Sequence, residues 1–185
     1  VSASDTTFDK TLFHYLLTRL GKSGSTIAID FCLDVLRSHP EETSYVLHYL
    51  GSVELREHHL VKLIDYMSSE QCSYDHQRFE LVRWFFSKDI DNRQVLEVCR
   101  NWAFDRNRFQ WLRSYALAYL GKFGYGADFD LLEEQYSKVS TDLERADVAA
   151  SLSKQTPERR NSFYRRIASD GDLVSRAIAV VRVRR

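Results

Sequence analysis

Arginines interleaved with aromatic rings are the residues of this sequence best suited to recognition chemistry. Between Arg78 and Arg113 the basic side chains Arg78, Arg83, Lys88, Arg93, Arg100, Arg106, Arg108 and Arg113 outnumber the acids and alternate with Trp84, Trp102, Phe104, Phe109 and Trp111. Guanidinium groups hold phosphate oxygens while flat rings stack on bases, so this combination suits a nucleic-acid strand. A second basic stretch, Arg159, Arg160, Arg165, Arg166, Arg176, Arg182, Arg184 and Arg185, is accompanied only by Glu158, Asp170 and Asp172. The candidate nucleic-acid-binding residues are therefore Arg78, Arg83, Arg106, Arg108, Arg113, Arg159, Arg160, Arg165 and Arg166. The competing reading puts the tryptophans in a core and leaves the arginines as a solvated face, because aromatics at helical spacing usually pack inward.

Other chemistries find less support. Cys72 and His76 stand four apart with His58 and His59 upstream, but no H-E-x-x-H and no second spaced pair completes a metal site. No G-x-S-x-G elbow occurs, so no serine is marked as a nucleophile. Gly21-Lys22-Ser23-Gly24-Ser25 contains Gly-Lys-Ser without the upstream glycine and strand of a phosphate loop, and it reads as a helix turn. No catalytic residue, metal site or cofactor is assigned. The segment is expected not to be an enzyme, and its expected partner is a protein or a nucleic-acid backbone.

Composition narrows the setting. Lys+Arg and Asp+Glu both number 26, so the chain as a whole offers no bulk attraction to nucleic acid or to an anionic membrane, and any electrostatic site must be a local patch. The 185 residues, 44% hydrophobic and 28% charged, are enough to build one domain with a substantial core. Three cysteines, Cys32, Cys72 and Cys99, form no C-x-x-C pair and suit a reducing compartment, so a cytoplasmic location is expected. No apolar stretch is long enough for a membrane span. A single repeat domain over 1–185, part of a longer protein, is expected, because Val1 is not an initiator methionine and Val183-Arg184-Arg185 closes a helical run with no helix after it.

Two prolines and seven glycines over this length predict long helices joined by short turns. Helical periodicity predicts helices over Phe8 to Leu20, with Leu12, Phe13, Leu16, Leu17 and Leu20 inward, and over Thr26 to Ser38, with Ile27, Phe31, Val35 and Leu36 inward. His39-Pro40 breaks the second helix, and another starts at Pro40. Further helices are expected over Glu54 to Ser68, Tyr74 to Lys88, after an Asp91-Asn92 cap, over Arg108 to Phe123 and over Phe129 to Val139. Asp142 to Ser153, Pro157 to Ala168 and Asp172 to Val183 complete about eleven helices, with no strand. Leu-Gly recurs at Leu20-Gly21, Leu50-Gly51 and Leu120-Gly121, where glycine is expected to close each helix in the left-handed conformation.

The helices also repeat. Arg113-Ser-Tyr-Ala116-Leu-Ala118, Arg145-Ala-Asp-Val148-Ala-Ala150 and Arg176-Ala-Ile-Ala179-Val-Val181 each open on an arginine followed by small and apolar residues. A step of this size marks a stacked repeat, because one helix pair cannot bury its apolar face alone. Asp105 to Tyr136, with Arg113, Ala116, Leu120-Gly121, Leu131-Leu132 and Tyr136, resembles a HEAT repeat. That resemblance implies an all-α, right-handed α-solenoid of about five HEAT-like helical hairpins, in which the repeated arginine bridges neighbouring units.

A second resemblance covers about the first half. Tyr15-Leu16-Leu17-Thr18-Arg19-Leu20-Gly21, His39-Pro40, Val46-Leu47-His48-Tyr49-Leu50 and Gln77-Arg78-Phe79-Glu80-Leu81-Val82-Arg83-Trp84-Phe85 are similar to the helical region C-terminal to the polymerase in bacterial reverse transcriptases of the abortive-infection or phage-defence type. It implies a non-catalytic accessory domain, with polymerase activity in an N-terminal part outside this sequence. A stand-alone HEAT-like protein-interaction module is the alternative. Trp102-Ala-Phe-Asp105-Arg-Asn107-Arg-Phe-Gln-Trp111-Leu-Arg113 is also loosely similar to a unit of the HEAT-like DNA glycosylases, whose groove needs a catalytic acid that the sequence does not place.

Overall fold

The computed structural model describes residues 8–139, 141–152 and 155–169. These form ten α-helices, a single 3-10 turn at Pro40–Glu42 and no strand among the described residues, so the chain is all-α. The helices are α1 Lys10–Lys22, α2 Ile29–Ser38, α3 Thr43–Leu50, α4 Glu57–Ser68, α5 Asp75–Ser87, α6 Arg93–Ala103, α7 Gln110–Phe123, α8 Gly126–Lys138, α9 Asp142–Leu152 and α10 Pro157–Ser169. The helix expected over Asp172 to Val183, with Arg176, lies outside the described residues. The chain divides into two compact units, Val1–Trp84 and Phe85–Arg185, with the division inside α5.

In the first unit α1 packs on α3, and α2 packs on α3 and α4. Helices two apart in the chain therefore stack, as they do when hairpins are laid one on another. Proline explains one of the joints. Pro40 has no N–H to donate to the carbonyl of Leu36 four residues earlier, so α2 stops at Ser38. Two side chains supply the missing donors: the Tyr66 hydroxyl at 2.6 Å and the Gln77 Nε2 at 2.8 Å both reach the Leu36 oxygen. Gln77 is buried and also reaches the Thr43 hydroxyl at 3.0 Å. Trp84 donates its indole N–H to the Leu47 carbonyl at 3.0 Å, tying α5 to α3 within this unit. A buried polar group is tolerated only when paired, and here each bond crosses from one helix pair to the next.

The second unit repeats the scheme. α7 packs on α6, α8 and α9, and α8 packs on α9. Asn92 caps α6 by accepting from the Gln94 and Val95 N–H groups, as the sequence predicts. The Tyr119 hydroxyl donates to the Ile90 carbonyl at 2.6 Å. Tyr136 of α8 meets Phe163 of α10 edge to face with centroids 5.2 Å apart. Leu96, Cys99, Leu112, Ala116, Leu120, Leu132, Val148, Leu152 and Ile167 fill the interior.

Three expectations are corrected. The Leu-Gly pairs do not close helices with left-handed glycine: Gly21 and Gly121 lie inside α1 and α7, and Gly51 caps α3 at φ −75°. The left-handed residue of α1 is Gly24, at φ +66°, with Gly24 N–H bonded to the Gly21 carbonyl and Ser25 N–H to the Leu20 carbonyl. Gly121 serves close approach instead, since a Cβ there would stand 2.4 Å from the Ser151 carbonyl oxygen and 2.6 Å from its Cα in α9. Second, α2 turns a different face inward. Ile29, Cys32, Leu33 and Leu36 are buried with Val35, whereas Ile27 and Phe31 are exposed. Third, α1 buries Phe13 and Leu17 but leaves Leu12 and Leu16 exposed.

Candidate functional site

The nine candidate arginines are held mostly by carboxylates. Arg78 pairs with Asp75 at 3.3 Å, Arg83 with Glu80 at 2.7 Å and Arg108 with Asp105 at 3.2 Å, each on the same helix or turn. Arg113 reaches from α7 to Glu144 of α9 at 2.5 Å, 31 residues on. Arg159 of α10 pairs with Asp130 and, at 3.4 Å, with Glu133, both on α8. Arg166 joins Glu133 at 3.3 Å. Arg106 and Arg165 are exposed and Arg160 is half-buried. Ion pairing removes most of the field that a phosphate would feel, because a neutralised guanidinium must first lose its carboxylate.

The aromatics divide as well. Trp84 and Trp102 are buried and Phe104 is half-buried, leaving Phe109 and Trp111 of the interleaved set on the surface, Trp111 at 59% exposure. One exposed tryptophan beside one exposed phenylalanine is a short platform for stacking, and it is equally the composition of a protein-contact anchor.

A cleft of about 90 Å³ lies among α7, α8 and α9, lined by Arg106, Arg113, Ser114, Lys138, Glu144 and Asp147 among others. Its volume equals that of a few water molecules and falls far below the roughly 300 Å³ at which ligand pockets begin. The charged groups across it bond to one another: besides Arg113 and Glu144, the Ser114 hydroxyl donates to Asp147 at 2.5 Å. Burial pushes the Glu144 carboxyl up, but bonds from Arg113 and Thr141 and the charge of Arg106 outweigh this and hold it below its ordinary value. Both bonds run from α7 to α9, so the cluster clamps the two helices together.

A second clamp lies between α6 and α8, where Arg100 Nε and its neighbouring nitrogen grip the buried Asp128 at 2.5 and 3.0 Å. Asp128 also accepts from the Tyr125 N–H at 2.8 Å, capping α8. Burial raises the affinity of Asp128 for a proton, while Arg100 and the Tyr125 N–H lower it and prevail, keeping the group below the usual aspartate value. Sequence reasoning counts Arg100 among the basic residues but misses its carboxylate partner. The signal lies in the spacing, because Arg100 to Asp128, Arg113 to Glu144 and Ser114 to Asp147 are similarly separated, by 28, 31 and 33 residues.

The cysteines are buried and held protonated by their surroundings. Cys72 is buried, its Sγ 3.6 Å from the Gln77 Oε1, and burial pushes its thiol up to about 11. Burial pushes the Cys32 thiol up to about 12. Thiols held protonated in this way are poor nucleophiles and poor ligands. Among the described residues no three His, Cys, Asp or Glu side chains converge on a point a metal ion could occupy. No helix of the described residues is long and apolar enough to cross a membrane. No protein-family model matches the chain, and no curated protein or solved structure matches it either.

Proposed function

We propose that the chain is a right-handed α-solenoid of HEAT-like hairpins and acts as a non-catalytic scaffold whose partner is a protein. The observation that carries this is the fate of the arginines: most are paired with carboxylates, and Arg113, Arg159 and Arg166 pair across stacked helices. A basic groove spends its charge on phosphates, whereas a repeat stack spends it on its own joints. Exposed Trp111 and Phe109 supply the kind of aromatic anchor on which protein interfaces depend. The resemblance of the first half to the helical region of bacterial defence reverse transcriptases favours an accessory domain in such an enzyme, with a stand-alone interaction module as the alternative.

Fluorescence-polarisation titration with labelled single-stranded RNA, single-stranded DNA and duplex DNA at two salt concentrations tests this reading. The expected result is no micromolar binding even at low salt. Salt-sensitive binding that is lost on joint reversal of Arg160 and Arg165 would assign the surface to nucleic acid instead. Those two arginines are chosen because no carboxylate bond of theirs enters the stacking described above.

A further inference from the structure

The side of α1 turned away from α3 is apolar and exposed. Lys10, His14 and Gly21 mark the side of α1 that faces α3: Lys10 bonds Glu41 at 3.1 Å, the His14 ring stacks on Tyr45 at 3.5 Å, and a Cβ on Gly21 would meet Ser52 at 2.5 Å. At about 100° per residue, Leu12, Tyr15, Leu16 and Arg19 fall on the opposite side of the helix. Leu12, Tyr15 and Leu16 are 54%, 55% and 47% exposed; Ile27, in the turn before α2, and Phe31 of α2 are 82% and 54% exposed. Phe31 touches the buried Phe13 of α1 edge to face.

An exposed apolar stripe of this kind marks an interaction surface.

We propose that this face is the contact between two copies of the chain, joined through α1 in antiparallel fashion about a two-fold axis. The distribution of charge along the stripe selects a second copy over other occupants. Asp9 stands at the N-terminal end and Arg19 at the C-terminal end, and neither makes an ion pair among the described residues. Arg19 lies over its own Tyr15 ring at 5.3 Å, which holds it on the stripe. Leu12 follows Asp9 by three positions and Arg19 follows Leu16 by three. One antiparallel register therefore sets Leu12 of each copy against Leu16 of the other and Asp9 of each against Arg19 of the other. A two-fold contact must be complementary to itself, and this stripe is. Antiparallel pairing also brings the positive end of each helix dipole beside the negative end of its mate. The inference stands apart from the proposed partner of Trp111, which lies in the other unit.

Sedimentation velocity over a range of concentrations, with circular dichroism as the check on folding, tests it. The wild-type chain is expected to sediment as a dimer, and Leu16→Glu, at a half-exposed position, to weaken the dimer at least tenfold with helicity unchanged. Asp9→Lys and Arg19→Glu each place like charges together in a homodimer and are expected to be monomeric alone. Mixed, the two variants are expected to form a heterodimer, because the introduced lysine of one meets the introduced glutamate of the other while the native Arg19 of the first meets the native Asp9 of the second. A wild-type chain that is monomeric at the highest attainable concentration, or a dimer indifferent to Leu16→Glu, overturns the proposal and assigns the face to some other helix. A dimer that Leu16→Glu breaks but the mixed pair does not restore overturns the antiparallel register.

Discussion

Gly121→Ala is expected to destabilise the second unit by about 2–3 kcal/mol, although alanine is the better helix former by roughly 1 kcal/mol. The added Cβ would lie 2.4 Å from the Ser151 carbonyl oxygen, 2.6 Å from Cα and 2.8 Å from the carbonyl carbon. All three are backbone atoms of α9, so no side chain can rotate out of the way and the two helices must part. Parting them also lengthens the Arg113 to Glu144 and Ser114 to Asp147 bonds across the same joint. Gly126→Ala is the matching control. Nothing lies within 4 Å of a Cβ at Gly126, which opens α8, and the substitution is expected to be neutral or to stabilise by about 0.5 kcal/mol. Urea unfolding of the two variants beside the wild type checks both.

Arg100→Met is expected to cost about 2–3 kcal/mol, because it strands the Asp128 carboxylate in the interior. The lower part of the range for broken buried pairs applies, since Arg100 itself is about one-third exposed. The loss should depend on pH in a defined direction. Asp128 is held below its ordinary value of 3.8 in the folded chain, so its contribution is whole above that value and is lost as pH falls through the folded value. Without Arg100, burial pushes Asp128 the other way. The gap in melting temperature between wild type and variant should thus be widest at neutral pH and should narrow below about pH 4. A gap independent of pH would mean that the guanidinium acts through packing alone.

Much of the fold is legible in the residues, and the reasons for the gaps are physical. Pro40 and Asn92 act on their own neighbours through a missing N–H and a side-chain oxygen, so the break and the cap can be read locally. Arg113, which opens the first arginine phrase, lies at the α7–α9 joint, bonded to Glu144. Glycine at 21 and 121 cannot be assigned from sequence, since a glycine that ends a helix and one that admits a neighbour look alike until the neighbour is known. The segment from Thr26 to Ser38 offers apolar residues at Ile27, Ile29, Phe31, Cys32, Leu33, Val35 and Leu36, enough for two overlapping faces. Packing of α3 and α4 selects the one containing Ile29, Cys32, Leu33 and Leu36.

The candidate site is legible in sequence only as a set of charges. Local excess of arginine suggests a phosphate surface, but acids distant in sequence lie beside several of those arginines in space. Arg113, Arg159 and Arg166 find their partners on a stacked helix, between 26 and 33 residues distant. A charge count over a contiguous window cannot register that compensation.

If the repeated arginine belongs to the stack, Arg113 and Glu144 must be energetically coupled. A double-mutant cycle on Arg113→Met and Glu144→Gln, measured by urea unfolding, tests this most directly. Both side chains are mostly buried, at 17% and 18% exposure, so a coupling of about 2 kcal/mol is predicted, with the double variant far less destabilised than the two single losses together. Strictly additive losses, with coupling near zero, would contradict the structural role and return Arg113 to the set of residues open to a ligand.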